Sequence, residues 1–303
     1  MLVPMRDLLD KATIEGYGVV APNVINECTA RVCIEAAEEL HAPLILDVGY
    51  VFHPDLVFLG RMLEEMAVRS SVPIAVNLDH GATYEQVMWA LRAGFTSVMI
   101  DRSTASFEVN VRDTAEIVKA AHAVQVSVEA ELGHVGDSCS YGREACLYTD
   151  PIQAVEFVKQ TSVDCLAISV GTAHGVYAGK PQLDFKRIRE IRQAVDIPLV
   201  LHGGSGSGDA NLQKAIQCGI SKINIGTDNF AAAIKAGGQA GEPHMVYHRM
   251  QQGFKDMVKA LYAYFSSGGE SIERGQSVPF YKRRYTYAEQ KAERYPAAAG
   301  ARR

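Results

Sequence analysis

Apolar runs alternate with stretches of helical periodicity about eight times along this chain, and few folds accommodate that pattern. Strands are expected over 17–24, 43–48, 74–80, 97–101, 126–131, 166–174, 198–202 and 222–226. Helices are expected over 5–15, after a cap at Asn26, over 54–69 with Pro54 in the first turn, and over 83–93 up to Gly94. Further helices are expected over 108–122, 151–160, 185–194 and 209–218, with the last ones inside 247–264. Many of the strand runs are apolar throughout, as in strands covered on both faces. Intervening helices imply right-handed parallel crossovers. Eight such units close into an α/β fold, the TIM (β/α)8 barrel. An open doubly wound sheet is the alternative. Against it, the first turn has no G-x-G-x-x-G fingerprint, and polar residues sit at the ends of many strands instead of at one switch point.

A length of 303 residues suits one such barrel over 1–267 with extra C-terminal helices, followed by a tail over 268–303. The tail is basic (Arg274, Lys282, Arg283, Arg284, Lys291, Arg294) and aromatic (Tyr281, Tyr285, Tyr287, Tyr295), with disorder expected from 297 onward. It suits packing on the barrel or on a neighbouring subunit; covering a phosphorylated substrate is the second reading. The net charge of −5 argues against nucleic acid as a partner. No stretch approaches the roughly 20 apolar residues that a membrane helix needs. Met1 to Asp7 has no long apolar run after a basic start, so no signal peptide is expected. The cysteines (28, 33, 139, 146, 165, 218) lack paired spacing, and Cys28, Cys33 and Cys165 lie in apolar patterns. They read as reduced core residues of a cytoplasmic protein.

Three of the expected strands end in histidine and glycine: Asp79-His80-Gly81, His174-Gly175 and His202-Gly203. Three imidazoles at equivalent strand ends suit a metal with coordination positions left open for a substrate. Asp79 adjoins one of these histidines, so proton transfer beside the metal is favoured over a strand-end cap. Asp101 and Glu131 stand at neighbouring strand ends. They are rim residues, partners that orient the ligands, or a second metal position.

The stretch from His202 to Gly208 is a glycine–serine loop between a strand and a helix. Its backbone N–H groups can cradle a phosphate, and Asn224 to Asp228 can add donors from the next strand end. Phosphate sites are frequent after the seventh and eighth strands of such barrels.

Taken together, Leu78-Asp79-His80, Val128 to Gly133, Gly171 to Tyr177, Leu201 to Gly206 and Lys222 to Ile225 resemble the class II, metal-dependent ketose-bisphosphate aldolases, which include the fructose- and tagatose-bisphosphate enzymes. The resemblance covers about residues 5–265. It implies Zn²⁺ on His80, His174 and His202, with Asp79 as acid/base at the aldehyde-derived oxygen. It also implies cleavage or condensation of a ketose 1-phosphate or 1,6-bisphosphate through a zinc-stabilised enediolate. The dihydroxyacetone-phosphate end would rest on Gly175, Gly203, Ser205, Asn224 and Thr227, with Asn23 of the first strand as a further substrate contact. A monovalent cation (Na⁺ or K⁺) near the phosphate and a homodimer or homotetramer also follow from the resemblance.

The chain departs from the family pattern at several points. The loop after Glu131-Leu132-Gly133 lacks the family's glutamate, the base that would form the enediolate; Asp137 and Glu144 are the nearby acids. The first-strand motif is Pro22-Asn23 where Phe-Asn is usual, and Gly226 stands where fructose-bisphosphate aldolases carry an acid. Arg102 replaces a small residue, and Gly49-Tyr50-Val51-Phe52 stands where a hydroxyl residue meets the second phosphate. The metal end therefore matches better than the aldehyde end, and a substrate other than glyceraldehyde 3-phosphate is open. Alternatives are another metal-dependent sugar-phosphate enzyme, such as an epimerase, or a metal- and phosphate-binding barrel of impaired catalysis. A Schiff-base aldolase would leave the histidines idle and has only Lys222 as a strand-end lysine.

Overall fold

The computed structural model describes residues 1–136, 148–177 and 179–265. Strands β1 (Val19–Pro22), β2 (Leu44–Gly49), β3 (Ile74–Gly81), β4 (Ser97–Ile100), β5 (Ser127–Leu132), β6 (Cys165–Ile168), β7 (Leu199–Leu201) and β8 (Ile220–Ile225) form a closed barrel. Every neighbouring pair is parallel, and β1 closes on β8 with Ala21 opposite Asn224. Around the barrel run α2 (Glu27–Glu39), α3 (Leu56–Arg69), α4 (Tyr84–Ala93), α5 (Phe107–His122), α6 (Pro151–Thr161), α7 (Phe185–Ala194) and α8 (Asp209–Gln217), after a leading α1 (Met5–Glu15) and before α9 (Thr227–Gly237) and α10 (Val246–Phe265). The fold is thus the expected TIM barrel.

Successive side chains of a strand point to opposite faces. On β3, Ile74, Val76 and Leu78 face outward into the layer shared with the helices. Ala75 faces the interior with Val19, Ala21, Ile45, Cys165, Ala167 and Val200. Met5, Leu8, Leu9 and Ala12 of α1 join that interior cluster and complete its apolar packing. Farther along the strands the interior positions become polar: Asp47, Asn77, Asp79, Glu129, Lys222 and Asn224 are all buried. Charged residues are almost never fully buried unless paired, so this band marks where the structure departs from simple packing.

Local signals explain most helix starts. Asn26 accepts from Thr29 N in a capping box, Thr83 accepts from Gln86 N, and Asp150 accepts from Ile152 N and Gln153 N ahead of Pro151. Gly94 ends α4 in the left-handed region at φ 92°.

Four expectations are corrected. Pro54 is not in the first turn of α3: Asp55 caps that helix through Phe58 N, and Pro54 precedes it. β6 stops at Ile168, so His174 is not at a strand end; it lies on the following loop, where its N–H donates to Gly136 O at 2.9 Å. Helix α9 begins directly at Thr227, where no helix was expected. Cys28 is exposed, whereas Cys33, Cys165 and Cys218 are buried. No helix among the described residues is long and apolar enough to cross a membrane.

Candidate active site

The three histidines arrive by different routes and meet at the carboxyl end of the barrel. His80 lies near the end of β3, where the pairing with β4 shifts register between Leu78 and Gly81. Such irregularities re-aim side chains and recur beside active sites. The residue sits at φ 50°, a left-handed conformation that costs a non-glycine residue roughly 1–2 kcal/mol. His202 follows β7 directly and is fully buried. His174 reaches the same point from the loop after β6. That loop turns at Gly171 (φ 106°), where a Cβ would strike the Gln182 carbonyl.

The imidazole nitrogens converge. His80 Nε2 lies 3.2 Å from His174 Nε2 and 2.8 Å from His202 Nδ1. The opposite nitrogens are committed to carboxylates: His80 Nδ1 lies 2.7 Å from Asp101 Oδ2, and His202 Nε2 lies 2.7 Å from Glu129 Oε1. An imidazole that donates to a carboxylate through one nitrogen presents a lone pair at the other. Two lone pairs facing each other at 2.8 Å cannot bond to one another. A cation between them, a proton or a metal, resolves the conflict, and the three imidazoles whose ligand atoms lie within 4.8 Å of one another are a donor set that fits a metal. The local charge agrees. In the metal-free chain burial disfavours an imidazolium at His80, but Asp79, Asp101 and Glu131 outweigh it and raise its pKa to about 10, so a proton on Nε2 takes the place of the metal cation and donates to His202 Nδ1. Burial, then repulsion from His80 and His202, lowers His174 to about 4 and keeps it neutral, the form that can ligate. His80, Asp101 and Glu131 form a second group whose possible ligand atoms lie within 4.8 Å of one another. In that group Glu131 Oε1 accepts from Val135 N at 2.8 Å, while Oε2 is buried with no hydrogen-bond partner among the described residues.

Asp79 approaches this centre without joining it, its Oδ1 standing 3.9 Å from His80 Nε2. Two carboxamides hold it: Asn23 Nδ2 donates to Oδ2 at 2.8 Å and Asn224 Nδ2 to Oδ1 at 3.0 Å. Burial opposes ionisation, yet His80, His202, Lys222 and the Asn23 amide pull the pKa down to about 2. The group is a carboxylate at neutral pH, ready to accept a proton.

Glu129, Lys222 and Asp47 escaped the sequence reading as a group. Lys222 Nζ lies 2.7 Å from Glu129 Oε2 and 3.2 Å from Asp47 Oδ2, and Asn77 Nδ2 donates to Asp47 Oδ1 at 2.8 Å. All four residues are fully buried. Burial alone would neutralise Lys222; the facing carboxylates of Asp47 and Glu129 hold it protonated, well above the ordinary lysine range. A lysine buried in the barrel interior and held between two carboxylates is poorly placed to attack a carbonyl, which argues against the Schiff-base alternative. The available signal was charge at interior-facing positions of β2, β5 and β8.

The glycine–serine loop forms as expected at the end of β7. Gly203, Gly206 and Gly208 take φ values of 65°, 72° and 81°. Ser205 Oγ accepts from Gly226 N and Asp228 N, both at 3.2 Å, which joins this loop to the start of α9. Gly206 N donates to Asp228 Oδ2 at 2.9 Å, so a carboxylate already occupies one donor. The N–H groups of Gly175, Ser205 and Thr227 make no hydrogen bond to another described residue. The Tyr177 hydroxyl accepts from Ala173 N at 2.6 Å and has its single O–H within reach of Ala173 O and Gly203 O, tying the His174 loop to this one.

At the opposite end, β2 finishes with Gly49 in register with Asp79, and Tyr50–Phe52 form a single 3₁₀ turn with Val51 exposed. Arg102 donates through Nε to Asp113 at 2.8 Å and through Nη1 to Ala82 O at 3.4 Å, which orients its side chain. Asp137, Glu144 and the tail lie outside the described residues.

Comparison with known proteins gives a consistent result. The model of the family described as fructose-bisphosphate aldolase class-II matches residues 3–270. A probable fructose-bisphosphate aldolase from Bacillus subtilis (strain 168) is 42% identical over 243 residues, covering 78% of this chain and 85% of its own. The fructose-bisphosphate aldolase of Geobacillus stearothermophilus is 43% identical over 243 residues, covering 78% of this chain and 84% of its own. Among solved structures, the YdjI aldolase from Escherichia coli K12 superposes with a TM-score of 0.80 at 36% identity, over 89% of this chain and 99% of that one.

Proposed function

Because this chain belongs to the class II fructose-bisphosphate aldolase family and is a carbon–carbon lyase of that class, we propose that it cleaves a ketose 1-phosphate to dihydroxyacetone phosphate and an aldehyde, using one Zn²⁺ on His80, His174 and His202. The convergence of three imidazole nitrogens beside a carboxylate that two asparagines hold carries this reading. When bound, zinc supplies a Lewis acid for the ketose carbonyl.

The chain's own residues do the rest. Asp79 takes the proton of the hydroxyl at the bond to be broken and returns it in condensation. Its two amide partners fix the direction of both carboxylate oxygens, and proton transfer by a positioned group contributes about 10²–10⁴-fold. The phosphate rests on the N–H groups of Gly175, Ser205 and Thr227 and on the Ser205 hydroxyl, with Gly203 allowing close approach and Asn224 beside them. A helix N-terminus such as that of α9 favours the anion. A monovalent cation, Na⁺ or K⁺, completes the phosphate site. Asp101 and Glu131 keep the environment of His80 negative. The base that forms the enediolate belongs to the loop of Asp137 and Glu144. The assembly is a homodimer or homotetramer.

The aldehyde end shapes the choice of substrate. The turn beside Asp79 is largely apolar and Arg102 is engaged by Asp113. The turn offers a phosphate no charged side chain of its own. We therefore propose an aldehyde other than ordinary glyceraldehyde 3-phosphate, with Arg102 and the basic tail as the groups that would have to hold a second phosphate. The deciding experiment is release of dihydroxyacetone phosphate in a coupled assay with zinc-loaded protein, screening aldehydes in the condensation direction. Absence of carbon–carbon cleavage with every ketose 1-phosphate and 1,6-bisphosphate, with epimerisation in its place, would refute the proposal.

A further inference from the structure

We infer that Lys222 is a positioning residue for the metal centre: acting through Glu129, it fixes which nitrogen of His202 faces the metal. The inference rests on the three-histidine reading above. The path is continuous and short. Lys222 Nζ donates to Glu129 Oε2 at 2.7 Å, and Glu129 Oε1 receives His202 Nε2 at 2.7 Å. His202 Nδ1 is thereby left with its lone pair, 2.8 Å from His80 Nε2. Lys222, Glu129 and His202 are all fully buried, so no solvent molecule stands in for a missing partner.

An ammonium carries three donors and no acceptor. Facing it, Glu129 has an acceptor's role on both oxygens, and only an acceptor can hold the N–H of His202 on Nε2. Without the ammonium, Oε2 keeps only the Cys165 thiol at 3.9 Å. The carboxylate is then free to turn from His202, and the ring loses what selects its tautomer. His80 is held differently: Asp101, which the Ser103 N–H and hydroxyl support at 3.0 and 2.7 Å, orients that ring from the rim. The barrel thus anchors one candidate ligand from its centre and one from its edge. Partners that orient a ligand histidine typically change metal affinity about 10–100-fold when removed.

The test is a zinc competition titration against a chromophoric chelator, with visible spectra of the cobalt-loaded protein. The proteins compared are the parent, Glu129→Gln, Lys222→Met and Asp47→Asn. Glu129→Gln and Lys222→Met are expected to bind zinc about 10–100-fold more weakly and to shift the cobalt bands. Asp47→Asn removes the other carboxylate on Lys222 but touches no histidine, so its affinity should stay within about threefold. Should Lys222→Met not fold, the volume-conserving Glu129→Gln and Asp47→Asn decide the question. Glu129→Gln with parental affinity and an unchanged cobalt spectrum overturns the inference, as does Asp47→Asn weakening zinc as much as Glu129→Gln. A parent that takes up no zinc refutes the metal-site reading itself, a failure visible before any variant is compared.

Discussion

Replacing Asp79 by alanine separates support of the fold from chemistry. Two amide donors lose their acceptor, Asn23 Nδ2 at 2.8 Å and Asn224 Nδ2 at 3.0 Å. Asn224 is buried, and leaving one buried donor unpaired costs about 1–3 kcal/mol. Asn23 is half-buried and can turn to water. In a barrel of this size the loss amounts to a fall in Tm of roughly 2–10 °C, which leaves the protein folded at assay temperature. The three histidines keep their own partners, Asp101 and Glu129 among them, so zinc should remain at one per chain. Turnover loses proton transfer, about 10²–10⁴-fold, or roughly 2.7–5.5 kcal/mol on the barrier. The assay pairs elemental analysis and a thermal melt with dihydroxyacetone phosphate release at saturating substrate. A folded, zinc-loaded variant with a kcat within about threefold of the parent, far short of the roughly 100-fold minimum, would show that Asp79 merely supports its two asparagines.

His202→Ala removes a fully buried candidate ligand, so elemental analysis should find less than half of the parent's zinc; undiminished zinc would break the site assignment. Gly203→Ala forces φ 65° on a residue with a Cβ and drives that carbon against the Ala173 carbonyl, so a loss of at least about 2 kcal/mol in denaturant unfolding is expected. An unchanged midpoint would mean that the loop relaxes freely. With the zinc site full, fructose and tagatose 1,6-bisphosphates should both be cleaved with kcat/KM below roughly 10⁴ M⁻¹s⁻¹. A higher value for either would show that the turn of Tyr50 and Phe52 admits a phosphate.

The barrel was legible because outward-facing positions of every strand are apolar and the helices carry capping residues such as Asn26 and Thr83. His80 and His202 were legible because a polar pair after an apolar run has few structural uses. His174 was found for a partly mistaken reason. Ser169 to Ala173 are buried although they lie beyond β6, and burial without strand pairing looks like strand in a sequence. Helix α9 was hidden because Thr227, Asp228 and Asn229 read as a turn, whereas they supply the first turn of a helix, with Asn229 buried and donating to Ile225 O. Charge at interior positions was a signal for the members of the Lys222 network but not for their pairing: Lys222 and Glu129 lie 93 positions apart, and only closure of the sheet makes them neighbours.

The two asparagines on Asp79 come from the first and last strands of the barrel. Those strands, β1 and β8, meet at the seam of the closed sheet, with Ala21 opposite Asn224. Domains are synthesised from the N-terminus, so all three histidines precede Asn224 in the growing chain. A chain that ends before β8 thus holds all three histidines but lacks Asn224, half of the clamp on the proton-handling carboxylate, and Lys222 behind His202. The carboxylate is therefore held on both oxygens only once the last strand has closed against the first.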